Sequence, residues 1–218
     1  MFSGGPDSTT LLYDLVNQGC HVHALYFDFG ENSTRSVHQI LSKVGDNVSL
    51  HHFRFSDFMN EFYGLPQPIL MRRGFIMNEI PETAEYVQPF GSAISLMLAA
   101  SWSIKNNIRD VFYGIHYNDT HFTDNKAEYF AMLSSLTELC EGPNYRVQFH
   151  TPYLDMPKAQ VVQKGAELGI DFADTWSCAA HGEVHCGACP PCLDRQMAFT
   201  LAQIVDPVAY AGDVVQVR

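Results

Sequence analysis

The chain has 218 residues, with 24 acidic and 13 basic side chains, a formal net charge of -11 and 46% hydrophobic residues. A chain of this length buries roughly 70% of the surface that its unfolded state exposes, so one domain with at most a small appendage can fold without metal or disulfide staples. The negative charge argues against an extended nucleic-acid surface, because affinity for phosphate backbones comes from clustered Lys and Arg.

The sequence lacks the patterns of membrane and secreted proteins. It has no apolar run of about 18 residues, and its start has neither the basic nor the apolar region of a signal peptide. We therefore expect a cytoplasmic protein that does not contact a membrane. In that reducing compartment, cysteines crowded into a short stretch indicate a metal site.

Helices and strands alternate in the first part of the chain. The hydrophobic spacing predicts a helix over residues 8–18, a strand over 21–28, a helix over 33–44 and a strand over 48–53. This alternation is typical of βαβ units, so we expect an α/β fold with a mainly parallel sheet and helices on both faces. That architecture also needs a buried strand before residue 3, and we expect a longer N-terminus to restore several apolar residues there.

The second part continues the pattern after an irregular stretch. Residues 56–91, rich in proline and glycine, predict loops and short turns over one sheet edge, where substrate contacts often lie. After this stretch we predict a helix over residues 92–104, capped by Ser92, and a strand over residues 110–116. A helix over 127–140, a strand over 145–150 and helices over 158–168 and 193–204 follow. We divide the chain into an α/β domain, residues 1–174, and a segment with a cysteine-bearing loop and the last helix, residues 175–218.

A motif of small and polar residues precedes the first helix: Ser3-Gly4-Gly5-Pro6-Asp7-Ser8. The two glycines, Gly4 and Gly5, let consecutive backbone N–H groups turn toward one point, and the helix N-terminus adds about half a positive charge. The hydroxyls of Ser3 and Ser8 can donate to phosphate oxygens, whereas Asp7 is better placed to cap the helix or hold Mg²⁺. A Walker loop has lysine where Asp7 stands, so this loop brings no cation of its own. A turn that merely caps a helix would use the same residues.

Four of the six cysteines lie close together, with seven, two and two residues between them: Cys178, Cys186, Cys189 and Cys192. The short spacings let a turn fold three thiolates around one ion, and Cys178 can complete a tetrahedron. We predict a structural Zn²⁺ site, with an iron–sulfur cluster or, in a secreted chain, disulfides as the alternatives. His181 and His185 could substitute as ligands. Arg195 is expected either to hydrogen-bond the thiolates or to be a solvated surface charge.

Motifs at both ends of the chain resemble a known family. The loop at residues 3–8 resembles the PP-loop of N-type ATP pyrophosphatases, which adenylate a carbonyl or carboxylate, and Phe27-Asp28-Phe29-Gly30 resembles their segment near the nucleotide. Thr175-Trp176-Ser177-Cys178 and the cysteine pattern that runs on to Arg195 narrow the resemblance to the 7-cyano-7-deazaguanine synthase (QueC) family. The resemblance covers almost the whole chain and implies an adenine nucleotide alpha hydrolase-like fold with a small zinc-binding appendage.

The resemblance implies that the chain uses ATP with Mg²⁺ to convert 7-carboxy-7-deazaguanine and ammonia into 7-cyano-7-deazaguanine, through an adenylate and an amide. The implied ATP-binding residues are Ser3, Gly4, Gly5, Asp7, Ser8, Asp28 and Phe29. Asp7 and Asp119 are the implied catalytic residues, and Asp119, His116 and His121 are candidate general bases for ammonium. Asp28 could instead be a turn or helix-capping carboxylate. Relatives commonly form dimers, so the resemblance also implies a homodimer.

The middle of the chain departs from the family pattern and leaves other functions open. Residues 89–93 and 121–127 lack the family's usual motifs, and Lys126, Arg72 or Arg73 could replace a missing cation. One alternative is a divergent ligase that passes the activated carboxylate to an amine on a protein or other acceptor, for example in antiviral defence. Others are a tRNA-modifying enzyme, which the negative charge disfavours, and a zinc-stabilised nucleotide sensor without catalysis.

Overall fold

Helices and parallel strands alternate along the chain in the computed structural model, which describes residues 1–30, 32–63, 91–119, 125–180 and 182–211. The first elements are helix α1 (Pro6–Asn17), strand β1 (Val22–Asp28), helix α2 (Thr34–Val44), strand β2 (Val48–Arg54) and helix α3 (Ser56–Tyr63). They are followed by α4 (Gly91–Lys105), β3 (Asp110–Phe112), α5 (Ala127–Glu141), β4 (Gln148–His150), α6 (Lys158–Glu167) and α7 (Pro190–Ala202). The predicted α/β class is confirmed.

The strands form two parallel pairs, β1 with β2 and β3 with β4. The N-terminal dipeptide lies between the pairs. The backbone N–H of Phe2 donates to the carbonyl of Leu25 in β1 at 2.9 Å, and the α-amino group of Met1 donates to the carbonyl of Phe112 in β3 at 2.6 Å. Met1 and Phe2 therefore occupy the position between β1 and β3 where the sequence pattern predicts a strand.

Strand β1 is buried on both faces. Ala24 and Tyr26 pack with residues of α1 and α2, whereas Leu25 and Phe27 pack with alanines of α4. Because successive side chains of a strand point to opposite faces, an unbroken apolar run of this kind is what a sheet covered by helices on both sides requires.

The element boundaries differ from the predicted ones where local turns intervene. Strand β3 ends at Phe112 rather than at residue 116, and a 3-10 turn forms at Tyr117–Asp119. Strand β4 starts at Gln148 because a 3-10 turn, which Pro143 begins, occupies residues 143–145. Ser92 lies inside α4 instead of capping it, and its hydroxyl contacts that of Tyr129 at 3.1 Å.

Two further segments differ from the sequence-based expectation. Residues 56–63, predicted as loop, form α3, and the rest of that predicted loop, residues 64–90, lies outside the described part of the chain. Helix α7 begins at Pro190, earlier than predicted, because proline fits the first turn of a helix, where its missing N–H has no partner to lose. None of the described helices is both long and apolar enough to span a bilayer.

Candidate functional site

The loop before α1 is folded back on the first turn of the helix. Gly4 has a φ of +75°, in the left-handed region, and a Cβ atom there would lie 3.0 Å from Cγ2 of Val37. Gly5 is the N-cap residue, and the Ser3 N–H donates to Oγ of Ser8 at 3.2 Å. The hydroxyl oxygens of Ser3 and Ser8 are 3.1 Å apart. Two hydroxyls thus meet at a helix end whose first N–H groups lack intrahelical partners, which is suited to binding an anion.

A cavity of about 270 Å³ lies beside this loop, at the carboxyl ends of β1 and β3. Its lining residues come from the loop and the start of α1, from the end of β1, from α4, and from the segment between β3 and α5. They include Ser3, Gly5, Asp7, Ser8, Phe27, Phe29, Ser92, Ser95, Tyr113, Gly114, Asp119 and Asn125. Open parallel sheets bind ligands at this edge. Phe27 and Phe29 give part of the lining an aromatic surface that suits a planar ring.

Glycine at position 114 brings two parts of the cavity together. A Cβ atom on Gly114 would lie 3.2 Å from the Asp7 carbonyl oxygen and 3.3 Å from Cα of Ser8. The chain that leaves β3 can therefore pass close to the first turn of α1. This approach sets the 3-10 turn that carries Asp119 next to Asp7.

Charged side chains from four elements meet beside the cavity, which Asp7 and Asp119 line, and we call Asp7, His116, Asp119, Lys158 and Asp194 the charged cluster. Nζ of Lys158, the first residue of α6, lies 3.2 Å from Oδ2 of Asp7 and 2.5 Å from Oδ2 of Asp194. Nε2 of His116 lies 3.4 Å from Oδ2 of Asp119 and 3.8 Å from Oδ1 of Asp7. The structure thus supplies, through Lys158, the cation that the loop sequence lacks.

Burial and neighbouring charges shift the pKa values of two residues of the charged cluster, Asp119 and Lys158. Burial raises the pKa of the Asp119 carboxyl, although His116 and Lys158 act in the opposite direction. Burial also opposes the charge on Lys158, but Asp7 and Asp194 outweigh it and hold the pKa of that ammonium above its ordinary value. Lys158 is therefore cationic at neutral pH, whereas Asp119 is easier to protonate than an exposed aspartate.

One carboxylate oxygen of the charged cluster has no hydrogen-bond partner in the described part of the chain. Oδ1 of Asp7 is buried, and Nε2 of His116 lies 3.8 Å from it, beyond hydrogen-bond distance. A buried oxygen left unpaired costs about 1–3 kcal/mol. Hard oxygen ligands of this kind suit Mg²⁺, so the residues at the cavity fit that ion.

Not every residue singled out from the sequence reaches the cavity. The Asp28 carboxylate accepts the Gly30 N–H at 2.9 Å and lies 3.1 Å from Nε2 of His52. Asp28 thus stabilises the turn after β1 and is not among the residues lining the cavity, whereas its neighbour Phe29 is. Lys126 is exposed at the start of α5. Arg72, Arg73 and His121 lie outside the described residues.

The four cysteines form a compact second site. Their Sγ atoms lie within 4.8 Å of one another, with 3.9 Å between Cys178 and Cys189 and 4.0 Å between Cys186 and Cys192. A tetrahedral zinc ion with Zn–S bonds of about 2.3 Å separates its sulfurs by about 3.8 Å. Backbone N–H groups of Ala180 and Cys186 donate to Sγ of Cys178 at 3.3 Å each. The donor set and spacing fit a four-thiolate metal ion.

Two residues beside the cysteines differ from their expected roles. Nε2 of His185 accepts the Ser177 N–H at 3.1 Å, and burial lowers the pKa of that imidazole to about 4, so His185 supports the loop as a neutral acceptor. Arg195 contacts neither thiolates nor solvent. It is fully buried, and it donates to the Asp206 carboxylate at 2.9 Å and to Oγ1 of Thr175 at 2.7 Å. These oxygens compensate the buried guanidinium charge.

Trp176 attaches the cysteine segment, residues 175–211, directly to the loop of residues 3–8, which we call the phosphate loop. The Trp176 backbone N–H donates to the Gly4 carbonyl at 2.9 Å, and its indole N–H donates to the Cys178 carbonyl at 2.7 Å. One residue therefore contacts both the loop glycine and the first cysteine.

Comparison with known proteins gives a consistent result. The family model of queuosine biosynthesis protein QueC matches residues 1–203. A 7-cyano-7-deazaguanine synthase of Methanoregula boonei is 32% identical over 96% of this chain and 97% of its own length. The corresponding proteins of Caldicellulosiruptor saccharolyticus (31% identical, over 98% of this chain and 95% of its own) and Rickettsia felis (29%, over 96% and 97%) are similar over the same extent.

Proposed function

Because the chain belongs to the QueC family, we propose that it is a 7-cyano-7-deazaguanine synthase, which uses ATP to convert 7-carboxy-7-deazaguanine and ammonia into the nitrile. The observation that carries this proposal is the meeting of the phosphate loop with the carboxylates of Asp7 and Asp119 at one cavity, together with the ion pair between Asp7 and the Lys158 ammonium beside it. Adenylation of a carboxylate requires an anion site and positive charge beside a bound ring, and the amination that follows requires a proton acceptor.

In the first step, a carboxylate oxygen of the substrate attacks the α-phosphorus of ATP, and pyrophosphate leaves. The loop N–H groups, with the hydroxyls of Ser3 and Ser8, bind the departing phosphates, and Lys158 offsets their developing charge. Mg²⁺, for which Asp7 offers a carboxylate oxygen, would supply further positive charge there when bound. No side chain acts as a nucleophile, so the protein contributes mainly positioning and electrostatics.

In the second step, ammonia attacks the acyl carbon, and AMP leaves to give the amide. Asp119 accepts the proton that the nitrogen loses, and its raised pKa makes it a better base than an ordinary aspartate. The amide oxygen then attacks the α-phosphorus of a second ATP. Loss of pyrophosphate, AMP and two N–H protons leaves the C≡N bond. Phe27 and Phe29 pack against the planar deazapurine during both rounds.

The cysteine cluster has a structural role in this proposal. Four thiolates complete a tetrahedral zinc site and leave no open coordination position for substrate. Zinc therefore holds the segment of residues 175–211 in place, and the reaction is confined to the cavity at the phosphate loop.

The direct test incubates the protein with Mg-ATP, 7-carboxy-7-deazaguanine and ammonium, and follows the products by mass spectrometry. We expect the nitrile, with AMP and pyrophosphate formed only when the deazapurine is present. Amide as the end product, or deazapurine joined to an added amine acceptor, would instead identify a ligase that stops after the first round. Absence of substrate-dependent ATP consumption would contradict both enzyme activities, and nucleotide binding without catalysis would be the function that remains.

A further inference from the structure

The end of β1 sets the aromatic part of the cavity at the phosphate loop, which we call the phosphate-loop cavity. Successive side chains of a strand point to opposite faces of the sheet. Phe27 and Phe29 pack with Phe53 and Phe55 on the face that α4 covers, whereas Tyr26 packs on the face that α1 and α2 cover. Residues on the second face can affect the cavity only by holding the end of β1 in place.

The Asp28 carboxylate, on the second face, is held at both of its oxygens. Oδ1 accepts the Gly30 N–H at 2.9 Å, and Oδ2 lies 3.1 Å from Nε2 of His52 in β2. Because a carboxylate oxygen accepts, Nε2 carries the hydrogen of this bond. The Asp28 carbonyl in turn accepts the Phe55 N–H at 2.8 Å. The residues directly before and after Phe29 are therefore both fixed by hydrogen bonds.

The His52 imidazole that donates to Asp28 is itself held in place. Its side chain is 16% exposed, and its ring centroid lies 4.7 Å from that of Tyr26. The Tyr26 hydroxyl lies 3.1 Å from Oγ of Ser33 and 3.0 Å from Oγ1 of Thr34, at the start of α2. His52 therefore lies against a side chain that links β1 to the helix following the turn.

The Phe29 ring depends on the turn for its position in the cavity. Its centroid lies 5.9 Å from that of Phe55 and 6.4 Å from that of Phe27. Apolar packing of this kind is non-directional, so it does not by itself fix where the ring lies. Hydrogen bonds are directional, and those of the Asp28 carboxylate fix the backbone from which the ring projects.

We propose that His52 is a positioning residue of the phosphate-loop cavity, which fixes the turn at Asp28 and thereby places the Phe29 ring against the planar substrate. This inference rests on the proposed function for the identity of that substrate, 7-carboxy-7-deazaguanine. His52 is not among the described residues that line the cavity. It therefore acts on the binding of the ring and not on the reacting atoms, so its loss should change KM and not kcat.

The test compares His52→Leu, which has no donor, with His52→Gln, whose side-chain amide can still donate. His52→Leu should raise the KM for 7-carboxy-7-deazaguanine about tenfold and keep kcat within about twofold, because the turn loses a hydrogen bond to a carboxylate. His52→Gln should restore KM to within about threefold of the unaltered value. The matched control is His51→Leu on the same strand, whose ring lies 4.5 Å from that of Trp102; its KM should be unchanged.

A second measurement does not depend on catalysis. Hydrogen exchange at the Gly30 amide should be about tenfold faster in His52→Leu, because the carboxylate that accepts this N–H is less firmly held. Nuclear Overhauser effects between the Phe29 and Phe55 rings should weaken in the same variant and return in His52→Gln. If His52→Leu does not fold, Asp28→Asn takes its place, because it weakens both bonds of the carboxylate.

An unchanged KM in His52→Leu, an equal rise in His51→Leu, or a fall in kcat at constant KM would overturn the proposal. Unchanged Gly30 exchange together with unchanged ring contacts would also overturn it. If the unaltered protein does not turn over the deazapurine, the proposed function fails, and the two magnetic-resonance measurements decide whether His52 positions Phe29.

Discussion

The cysteine cluster and the phosphate-loop cavity are built in opposite ways. The four sulfurs come from one stretch, Cys178 to Cys192, and short spacings bring them together. The charged cluster beside the cavity takes its side chains from the start of α1, the turn after β3 and the first turns of α6 and α7. A site built from one segment depends on local turns, whereas a site built from several elements depends on the packing of the whole sheet.

The two regions are nevertheless joined at Trp176, whose backbone holds the Gly4 carbonyl and whose indole holds the Cys178 carbonyl. We therefore expect damage at one site to affect the other in one direction only. Loss of the local site should disturb the assembled one, because the cysteine segment supports the loop. Damage to the charged cluster should leave the cysteine cluster intact, because none of its ligands comes from the rest of the chain.

Removal of the metal is expected to have the largest effect. Structural zinc contributes on the order of 10 kcal/mol to the folding of its site, so Cys189→Ser should unfold residues 175–211 rather than perturb them slightly. Hydrogen exchange would report the unfolding, and calorimetry with an ATP analogue should show weaker nucleotide binding. Cys140→Ser, at an exposed cysteine far from the cluster, is the matched control. Normal nucleotide binding by a zinc-free protein would show that the loop does not need the cysteine segment.

The reverse direction is tested by the double variant Ser3→Ala with Asp7→Ala. It removes one hydroxyl from the anion site and the carboxylate paired with Lys158, so turnover should fall below detection. Bound zinc, measured by atomic emission, should remain at the wild-type ratio. Near-normal activity would remove the loop from the mechanism, and loss of zinc would show that the two sites are coupled in both directions.

Lys158 provides a sharper test of the assembled site. Lys158→Met should lower kcat/KM for pyrophosphate release about 100- to 1000-fold, since it removes a preorganised positive charge and leaves Asp7 and Asp194 without their cation. Lys158→Arg should recover part of the activity. The control is Lys164→Met on the same helix, whose more exposed ammonium pairs with Asp14 at 3.1 Å. Equal losses in the two methionine variants would indicate a general effect on α6.

Hydrophobic spacing was sufficient to predict the α/β class and the approximate positions of α1, β1, α2 and β2, because both faces of β1 are apolar. It overextended β3, since Tyr113 and Ile115 are apolar residues that line a cavity rather than continue a strand. Backbone turns, such as the one at Pro143, decided the remaining boundaries.

The two candidate sites differ in the same way, because local spacing determines the cysteine cluster and packing between distant segments determines the charged cluster. Cysteine spacing alone predicted which sulfurs would meet. Lys158 was missed because nothing in its immediate sequence marks it, although a lysine that opens a helix after a parallel strand lies at the ligand-binding edge of the sheet. Arg195 was misjudged for a related reason: its carboxylate partner, Asp206, lies beyond the helix, and only packing brings them together.

The pH dependence of the reaction tests Asp119. Burial raises the pKa of the Asp119 carboxyl, so the folded state binds a proton more readily than the unfolded state. Ionisation of Asp119 therefore destabilises the fold as the pH rises above 3.8, the ordinary pKa of this side chain. Asp119→Asn should therefore leave the thermal midpoint at pH 7 unchanged or higher, while kcat falls about 100-fold and the acid limb of the rate profile disappears. A lower midpoint together with an unchanged pH profile would make Asp119 a structural residue only.

The smallest expected effect concerns the link between the two regions. Trp176→Phe removes the indole N–H that donates to the Cys178 carbonyl but keeps the backbone N–H that holds Gly4. A lost hydrogen bond of this kind is worth about 1 kcal/mol, which corresponds to roughly fivefold weaker retention of zinc against a chelator. The KM for ATP should rise by a similar factor or less, with kcat unchanged. Trp102→Phe, at the only other tryptophan of the chain, should alter neither quantity, because the Trp102 ring lies against His23 and His51 and not at the loop. Equal changes in both variants would mean that Trp176 acts through general stability and not through its contacts with Gly4 and Cys178.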